Sequence, residues 1–555
     1  MERGGANIWC QVGLGTVQAP FARTLIELVR EQAQAQPQAI ALVCAQGNFS
    51  YQELAQRAAK VAGALHACGV KRGDRVGLLL GNCVEWLDVC LGAGAVGATV
   101  VPLSTWSTRS ELAFLLPDAK LSVLVASPRF GEHDFEASLA ALQGTPGMPE
   151  ARQTWLLAGI DSRFGSYSAI VEAAPTGGPL PPGQAASAGD DALILYTSGS
   201  TSAPKAVPLR HLAVIENAFN IGERQGLTRE DRVLLSSPLF WAFGSANALP
   251  ATFSHGATLV LMEKFDAALA LQTIEREQCT VIYTLPAMSA AMAHHPTYDR
   301  QKLASLRTGV TIGSPEEFLF AVDKLGITDL CNIYGATETC GNCAVTWHHW
   351  PLQRRAYCQG PPLPGQELRF VDEATGAVVP NGTPGLAEVR GYTTQGYSGA
   401  SAAQNTKAFT TDGFYRTGDM GLLNPDGDFV FVGRVSEMIK RAGINVSPAE
   451  VEAVLRRHPS VKDAAVVGIP DAARGERIFA YVVPAATAAT AAIAEFDVAA
   501  LMRHCATESS KYKMPDHIEA CASLPLTVTG KLQRNELKQM AIQRAVDLAD
   551  AAPAP

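Results

Sequence analysis

"YTSGSTSAPKAVPLRH", residues 196–211, sets the reading of this chain. Its hydroxyls, its glycine and Lys205 offer oriented donors and one full positive charge, a set suited to phosphate. A Walker loop would need G-x-x-x-x-G-K-[ST] between a strand and a helix. Here Gly199 stands six positions before Lys205, and Ala206 follows the lysine. The flanks differ as well. "ALILY" (192–196) predicts a strand, "KAVPL" (205–209) predicts a second extended segment, and a helix begins only near His211. Strand, loop, strand is a hairpin with a mobile tip, able to close over a triphosphate rather than cradle it at a helix N-terminus. Alone, the window fits an ordinary Ser/Gly-rich surface loop equally well.

Outward from the hairpin, the pattern is α/β. "FARTLIELVREQAQAQ" has helical periodicity, and "IALVCAQGNFSYQELAQRAAKVAGALHACG" reads as strand, turn, helix. "RVGLLLGNCVEWLDVCLGAGAVGATVVPL" repeats that order, "LSVLVAS" is a buried strand, and a second α/β stretch runs from about Asp231 to Leu330. This alternation predicts parallel sheets covered by helices. A Gly/Pro-rich loop, "APTGGPLPPGQAASAGDD", precedes the hairpin. From Gly360 to Val432, short strands with Gly-rich turns predict a β-rich subdomain. After Arg434 comes a small α+β segment, with helix "SPAEVEAVLRRH", strands "DAAVVGI" and "RIFAYVVP", and a final helix after Lys531. "ADAAPAP" reads as a disordered tail, and no internal repeat is evident.

A chain of 555 residues is too long for one core. With 47% hydrophobic and 18% charged residues it is a globular composition, and a net charge of -8 leaves no basic surface for nucleic acid or anionic lipid. No signal peptide and no run of about 20 apolar residues is seen, so no membrane span is expected. Twelve scattered cysteines suit reduced thiols, and the expected location is cytoplasmic. Three motifs are decoys. "GAGAVG" (92–97) fits a dinucleotide pattern, but it ends an apolar helix, where small residues serve close packing. "CGNC" (340–343) has no second pair at zinc spacing and is expected to line an acyl pocket. The pairs His294–His295 and His348–His349 are expected at the surface or between domains rather than on a metal.

Four more windows follow the hairpin in order: "IYGATET" (333–339), "YRTGD" (415–419), "GRVSEMIKRAGINVSPAEVE" (433–452) and "LPLTVTGKLQRNEL" (524–537). Together the five resemble the acyl-activating, adenylate-forming superfamily, which includes acyl-CoA synthetases, peptide-synthetase adenylation domains and firefly luciferase. Each motif is weak alone; the ordered set is highly specific and spans roughly Leu25 to Leu537. The resemblance implies a large N-terminal AMP- and acyl-binding domain (1–434), made of two α/β subdomains and a β-rich one, and a small mobile α+β C-terminal domain (435–555). It also implies ATP, Mg²⁺ and coenzyme A.

By this resemblance Thr197, Ser198, Gly199, Ser200, Thr201 and Lys205 hold the β- and γ-phosphates. Ser202 and Ala206 stand where glycine is usual and are expected to stiffen the loop tip. Thr337 meets the α-phosphate, Glu338 the magnesium ion, and Tyr334 stacks on adenine, with Gly313 and Ser314 also at the nucleotide. Asp419 binds ribose with Arg434 beside it, and Ser436 occupies the hinge, where aspartate or lysine is commoner. Lys440, Arg441 and Gly443 lie along the pantetheine path, and Lys531 orients carboxylate and α-phosphate for adenylation. Read by themselves, Asp419 fits a turn and Lys531 a solvated helix start.

"PLFWAFGSANALPA" (238–251) corresponds to the family's aromatic turn and acyl-pocket helix. Amino-acid-activating members carry an aspartate where Trp241 stands, so the acid is expected to lack an α-amino group. Trp241, Phe243, Gly244, Gly335 and Ala336 are the implied pocket residues, suiting an aromatic, alicyclic or short-to-medium aliphatic carboxylate. The expected enzyme is an AMP-forming acid–CoA ligase, acting on a small carboxylic acid and free coenzyme A; a monomer and a dimer both remain open. The alternatives are transfer of the acyl group to a separate carrier protein, luciferase-like oxidation of the adenylate, and an inactive nucleotide-binding regulator.

Overall fold

The structure, a computed structural model, describes residues 23–175, 185–197, 204–399, 402–441, 444–471, 474–485, 496–509, 513–526 and 532–550. The centre of the polar loop before the hairpin, its tip, and the last five residues fall outside these ranges.

The expected alternation builds two largely parallel sheets. One has seven strands in the order Lys205–Arg210, Asp191–Thr197, Thr99–Pro102, Arg75–Leu79, Val123–Ala126, Thr154–Leu156 and Gly165–Ser166. All its pairs are parallel except the hairpin at one edge. The other has eight strands in the order Ala344–Val345, Asp329–Tyr334, Thr308–Thr311, Val281–Tyr283, Arg232–Leu235, Thr258–Leu261, Ile40–Cys44 and Gly47–Ser50. Parallel strands buried on both faces read as continuous apolar runs, as "VLVA" and "TLVL" do here.

One strand lies where the chain order does not place it. Ile40–Cys44 begins the first strand–turn–helix unit, yet it pairs in parallel with Thr258–Leu261, Leu42 opposite Leu259 and Val43 opposite Val260. Its apolar sequence specifies burial in a sheet but not which sheet. "GNFS", expected as a turn, is a short antiparallel partner of the same strand.

Local chemistry accounts for the helix starts. Thr24 and Glu27 form a capping box on Leu25–Ala35, as Ser50 and Glu53 do on Tyr51–Ala67. "GAGA" closes the buried helix Val84–Ala95. A Cβ on Gly92 would lie 2.8 Å from Val61 Cγ1 and 3.0 Å from the Ala58 carbonyl oxygen, so the glycine permits close packing on the helix Tyr51–Ala67. The His294–His295 pair is satisfied locally, each ring by a neighbour within its own turn. His348 and His349 rings meet edge to face.

Strands Gln366–Val371, Gly385–Gly391, Tyr415–Leu423 and Phe429–Arg434 form a four-stranded sheet in that order, the expected β-rich part. By contacts the chain divides into two compact units: residues 1–368, 388–416 and 426–429, and residues 369–387, 417–425 and 430–555. In the second unit "DAAVVGI" and "RIFAYVVP" fall in a long antiparallel pair, Val461–Asp471 with Gly475–Pro484, and His517–Ala520 adds in parallel. Helices Pro448–Arg456 and Val498–Glu508 contribute Val451, Leu455 and Leu501 to one core. The final helix Arg534–Asp550 contributes Leu537 and Ala541 to another. A small α+β domain follows the β-rich stretch, as expected.

Candidate active site

The hairpin is present as expected. Asp191–Thr197 pairs antiparallel with Lys205–Arg210, placing Thr197 opposite Lys205, and the helix His211–Gln225 follows at once. Ser198, Gly199, Ser200, Thr201 and Ser202 lie outside the described residues. Ala206 is not part of the tip. It sits inside the second strand, buried, opposite Tyr196, and its carbonyl accepts the Ser398 N–H at 2.9 Å. Lys205 Nζ lies 4.8 Å from the centroid of the Tyr397 ring.

Strand Asp329–Tyr334 delivers Gly335, Ala336, Thr337 and Glu338 at its carboxyl end, the edge where open parallel sheets hold ligands. A Cβ on Gly335 would lie 1.9 Å from the Gly341 carbonyl oxygen and 2.5 Å from Asn342 Cα, so only glycine fits. Thr337–Thr339 make one 3-10 turn, held by Thr339 Oγ1 accepting the Ala336 N–H at 3.0 Å. Buried amides brace the return of the chain. Asn217 donates to the carbonyls of Cys340 (3.2 Å) and Asn342 (2.7 Å), and Gln366 donates to Asn217 Oδ1 at 3.1 Å. Asn247, oriented to satisfy both ends of its amide, donates to the Cys340 carbonyl at 2.9 Å and accepts from Asn342 Nδ2 at 3.1 Å. Cys340 and Cys343 do not line an open pocket: both side chains are fully buried, Cys340 in the hydrophobic core.

Glu338 is 7% exposed, and its Oε1 accepts the Tyr397 hydroxyl at 2.9 Å. The Tyr415 phenol also hydrogen-bonds Glu338 and Tyr397. Burial, then the Glu338 charge, pushes both phenols above their ordinary range, so each stays protonated and able to donate. A single buried carboxylate suits Mg²⁺, which takes one or two carboxylates plus substrate phosphates rather than an all-protein cage. Among the described residues no cluster of three or more His, Cys, Asp or Glu side chains could form such a cage.

Tyr334 packs on Phe429, ring centroids 4.2 Å apart. Gly313 and Ser314 follow Thr308–Thr311, the neighbouring parallel strand, and so lie at the same sheet edge. Ser314 has a local task as well: it N-caps Pro315–Leu325 in a capping box with Glu317.

The residues expected to form an acyl pocket, Trp241, Phe243, Gly244, Gly335 and Ala336, lie in the same unit. Phe243–Ala248 is a π-helix, a form concentrated at functional sites. Trp241, just before it, meets Trp106 edge to face at 5.1 Å and Phe240 at 6.0 Å; Trp106 and Phe240 are also 5.1 Å apart. Phe243 leans on Tyr283 at 5.2 Å. Trp106 comes from the loop after Thr99–Pro102, in the other sheet. Sequence reasoning missed it, as it missed Asn217, Asn247, Tyr397 and Tyr415. "TWST" and "QGYSG" carry no pattern that singles out either aromatic.

The second unit holds Asp419, Arg434, Ser436, Lys440 and Arg441. Asp419 is buried; its N–H donates to Thr417 Oγ1 at 3.0 Å, and Arg434 Nε lies 3.2 Å from its Oδ1. The Arg434 side chain is 61% exposed. Ser436 is within the 3-10 turn Val435–Glu437 that ends this strand. Lys440 is exposed, 3.8 Å from Glu373. Arg441 is committed to the Met514 carbonyl (2.7 Å) and to Asp516 (2.5 Å), which makes Lys440 the more available cation of the two. Gly443 and Lys531 lie outside the described residues. Arg534, three residues on, is anchored to Glu437 at 3.0 Å and Glu452 at 2.8 Å.

The AMP-binding enzyme family model matches residues 29–398, and the AMP-binding enzyme C-terminal domain model matches residues 450–531. The indoleacetate–CoA ligase of Aromatoleum aromaticum is 32% identical over 530 residues, covering 94% of this chain and 98% of the ligase. The mitochondrial medium-chain acyl-CoA ligase ACSF2 of Mus musculus is 30% identical over 553 residues, covering 93% of this chain and 87% of that one. The crystal structure of the anthranilate CoA ligase AuaEII in complex with anthranoyl-AMP superposes with a TM-score of 0.83 at 26% identity, over 95% of this chain and 99% of that one.

Proposed function

The chain belongs to the AMP-binding, adenylate-forming enzyme family, and from that premise we propose how its residues divide the work of an ATP-dependent acid–CoA ligase. The enzyme is an AMP-forming acid–thiol ligase. Oxide is a poor leaving group, so the carboxylate first attacks the α-phosphate of ATP and releases pyrophosphate. The coenzyme A thiol then displaces AMP from the acyl adenylate. Two anions meet in the first step, so oriented donors and cations carry it.

Thr197, the hairpin tip and Lys205 hold the outer phosphates. Thr337 meets the α-phosphate, and Gly313, Ser314 and Tyr334 face the nucleotide from the same sheet edge. Glu338 would hold Mg²⁺, which when bound offsets phosphate charge and fixes the triphosphate geometry. Asp419 accepts from the ribose hydroxyls, with Arg434 beside it, and Lys531 steadies the charge that builds during adenylation. The domain boundary is placed at Arg434, with Ser436 as the hinge about which the small domain turns between the half-reactions, bringing Lys440, Arg441 and Gly443 to the pantetheine arm. The eleven described cysteines are all free, which favours a reducing compartment such as the cytoplasm; no described helix is long and apolar enough to cross a membrane.

One observation carries the substrate class: the aromatic cluster of Trp106, Phe240 and Trp241, which presents no charge to an α-ammonium group. An aromatic, alicyclic or short-to-medium aliphatic acid without an α-amino group is the substrate, with Trp241, Phe243, Gly244, Gly335 and Ala336 as its pocket residues. A panel of such acids, screened for CoA-dependent pyrophosphate release, is expected to contain turned-over members. Turnover confined to α-amino acids would overturn the assignment.

A further inference from the structure

One tyrosine touches both groups assigned to the triphosphate and its cation. The Tyr397 hydroxyl donates to Glu338 Oε1 at 2.9 Å, while its ring face sits 4.8 Å from Lys205 Nζ. Tyr397 is itself 8% exposed, its N–H donates to Asn405 Oδ1 at 3.0 Å, and its ring leans on Phe409. The backbone repeats the link on both sides. The Thr394 N–H donates to the Glu338 carbonyl at 2.8 Å, and the Ser398 N–H donates to the Ala206 carbonyl at 2.9 Å, one residue from Lys205. Residues 394–398 therefore join the phosphate hairpin to the Glu338 turn by two backbone bonds, one side-chain bond and one cation–π contact, all inside one compact unit.

From this geometry we infer that Tyr397 is a positioning residue, which aims the Glu338 carboxylate at the divalent cation and seats the Lys205 ammonium for the phosphates. The inference rests on the proposed roles of Glu338 and Lys205. A metal-binding carboxylate is oriented by the donors behind it, and losing such a donor typically costs 10- to 100-fold in metal affinity. The two tasks use different parts of the side chain. The hydroxyl serves Glu338, and the ring serves Lys205, where a cation–π contact is worth about 0.5–1 kcal/mol, roughly two- to fivefold.

The test is calorimetric binding of a non-hydrolysable ATP analogue, with and without Mg²⁺, to the wild type and to Tyr397→Phe, Tyr397→Leu and Glu338→Gln. Wild type is expected to gain affinity when Mg²⁺ is added. Tyr397→Phe keeps the ring: it should lose on the order of tenfold of that Mg²⁺-dependent gain while binding the Mg²⁺-free analogue as wild type does. Tyr397→Leu should lose the gain and also bind the Mg²⁺-free analogue roughly two- to fivefold more weakly. A Tyr397→Phe protein with the full Mg²⁺-dependent gain, or one weakened equally in both media, overturns the inference. Glu338→Gln separates the two levels. If it retains the full gain, the cation role of Glu338 fails; if it loses the gain while Tyr397→Phe keeps it, only the Tyr397 inference fails. Thermal melts of each variant guard against misfolding, and if Tyr397→Leu does not fold, Tyr397→Phe decides alone.

Discussion

Two regions assigned to the nucleotide are built in opposite ways. The turn carrying Glu338 is braced from every side: Gly335 against the Gly341 carbonyl, Asn217 and Asn247 on the carbonyl of Cys340, Tyr397 on the carboxylate. Asp419 instead faces Arg434, a largely exposed cation at 3.2 Å that water or a ligand hydroxyl can displace. Because the guanidinium half of this pair is solvated, the pair itself adds little stability. The first region is preorganised, so damage to it should appear in folding and in every step that uses it. The second is exchangeable, so damage should appear in nucleotide affinity alone.

The largest expected effect sharpens this contrast by adding a residue that serves a single step. Lys531→Ala should lower acid-dependent pyrophosphate release on the order of 10²–10³-fold, the usual cost of a lost transition-state contact. Supplied with acyl adenylate and coenzyme A, the same variant should form thioester at close to the wild-type rate. Equal losses in the two assays would remove Lys531 from adenylation.

Asp419→Ala should weaken ATP binding by about 1.5–3 kcal/mol, through loss of a charged acceptor, with the melting temperature nearly unchanged. A large drop in melting temperature would show that Asp419 is structural and break the contrast. Gly335→Ala tests the braced side. Its new Cβ would meet backbone, at 1.9 Å from the Gly341 carbonyl oxygen, and backbone cannot swing aside. A loss of about 1–3 kcal/mol in stability is expected from such overpacking, read by denaturant titration; a wild-type midpoint would show that the turn is not rigid.

The smallest effects concern selectivity. Trp106→Ala and Trp241→Gly should each shift preference toward bulkier acids, by about 1–3 kcal/mol in relative kcat/KM, the range over which a hydrophobic pocket discriminates. Because the two rings touch, the double variant should be non-additive. An unchanged acid profile in either single variant would take that tryptophan out of the pocket.

Much of this was legible in the chain. The strand–loop–strand reading around Lys205, the helix start at His211, the packing role of "GAGAVG", the two α/β layers and the small α+β domain all follow from local periodicity, turn chemistry and covalent order. Those signals act over a few residues, so a single sequence carries them. The resemblance carried by the ordered motifs supplies the proposed roles of Glu338, Asp419 and Lys531 without any contact being known.

Only the tertiary structure decided who touches whom across long separations. The apolar strand Ile40–Cys44 could have joined either sheet, since burial does not name a partner. Tyr397 stands 59 residues from Glu338 and looks in the sequence like any loop aromatic. Trp106 reaches Trp241 from a different sheet, and Asn217 reaches the Glu338 turn from a helix whose polar residues would otherwise read as a solvated face. Side-chain identity sets what such a residue can do, as donor, ring or amide. What it acts on is set by packing, because the hydrogen bonds and ring contacts that position the site form only once distant strands and helices have come together.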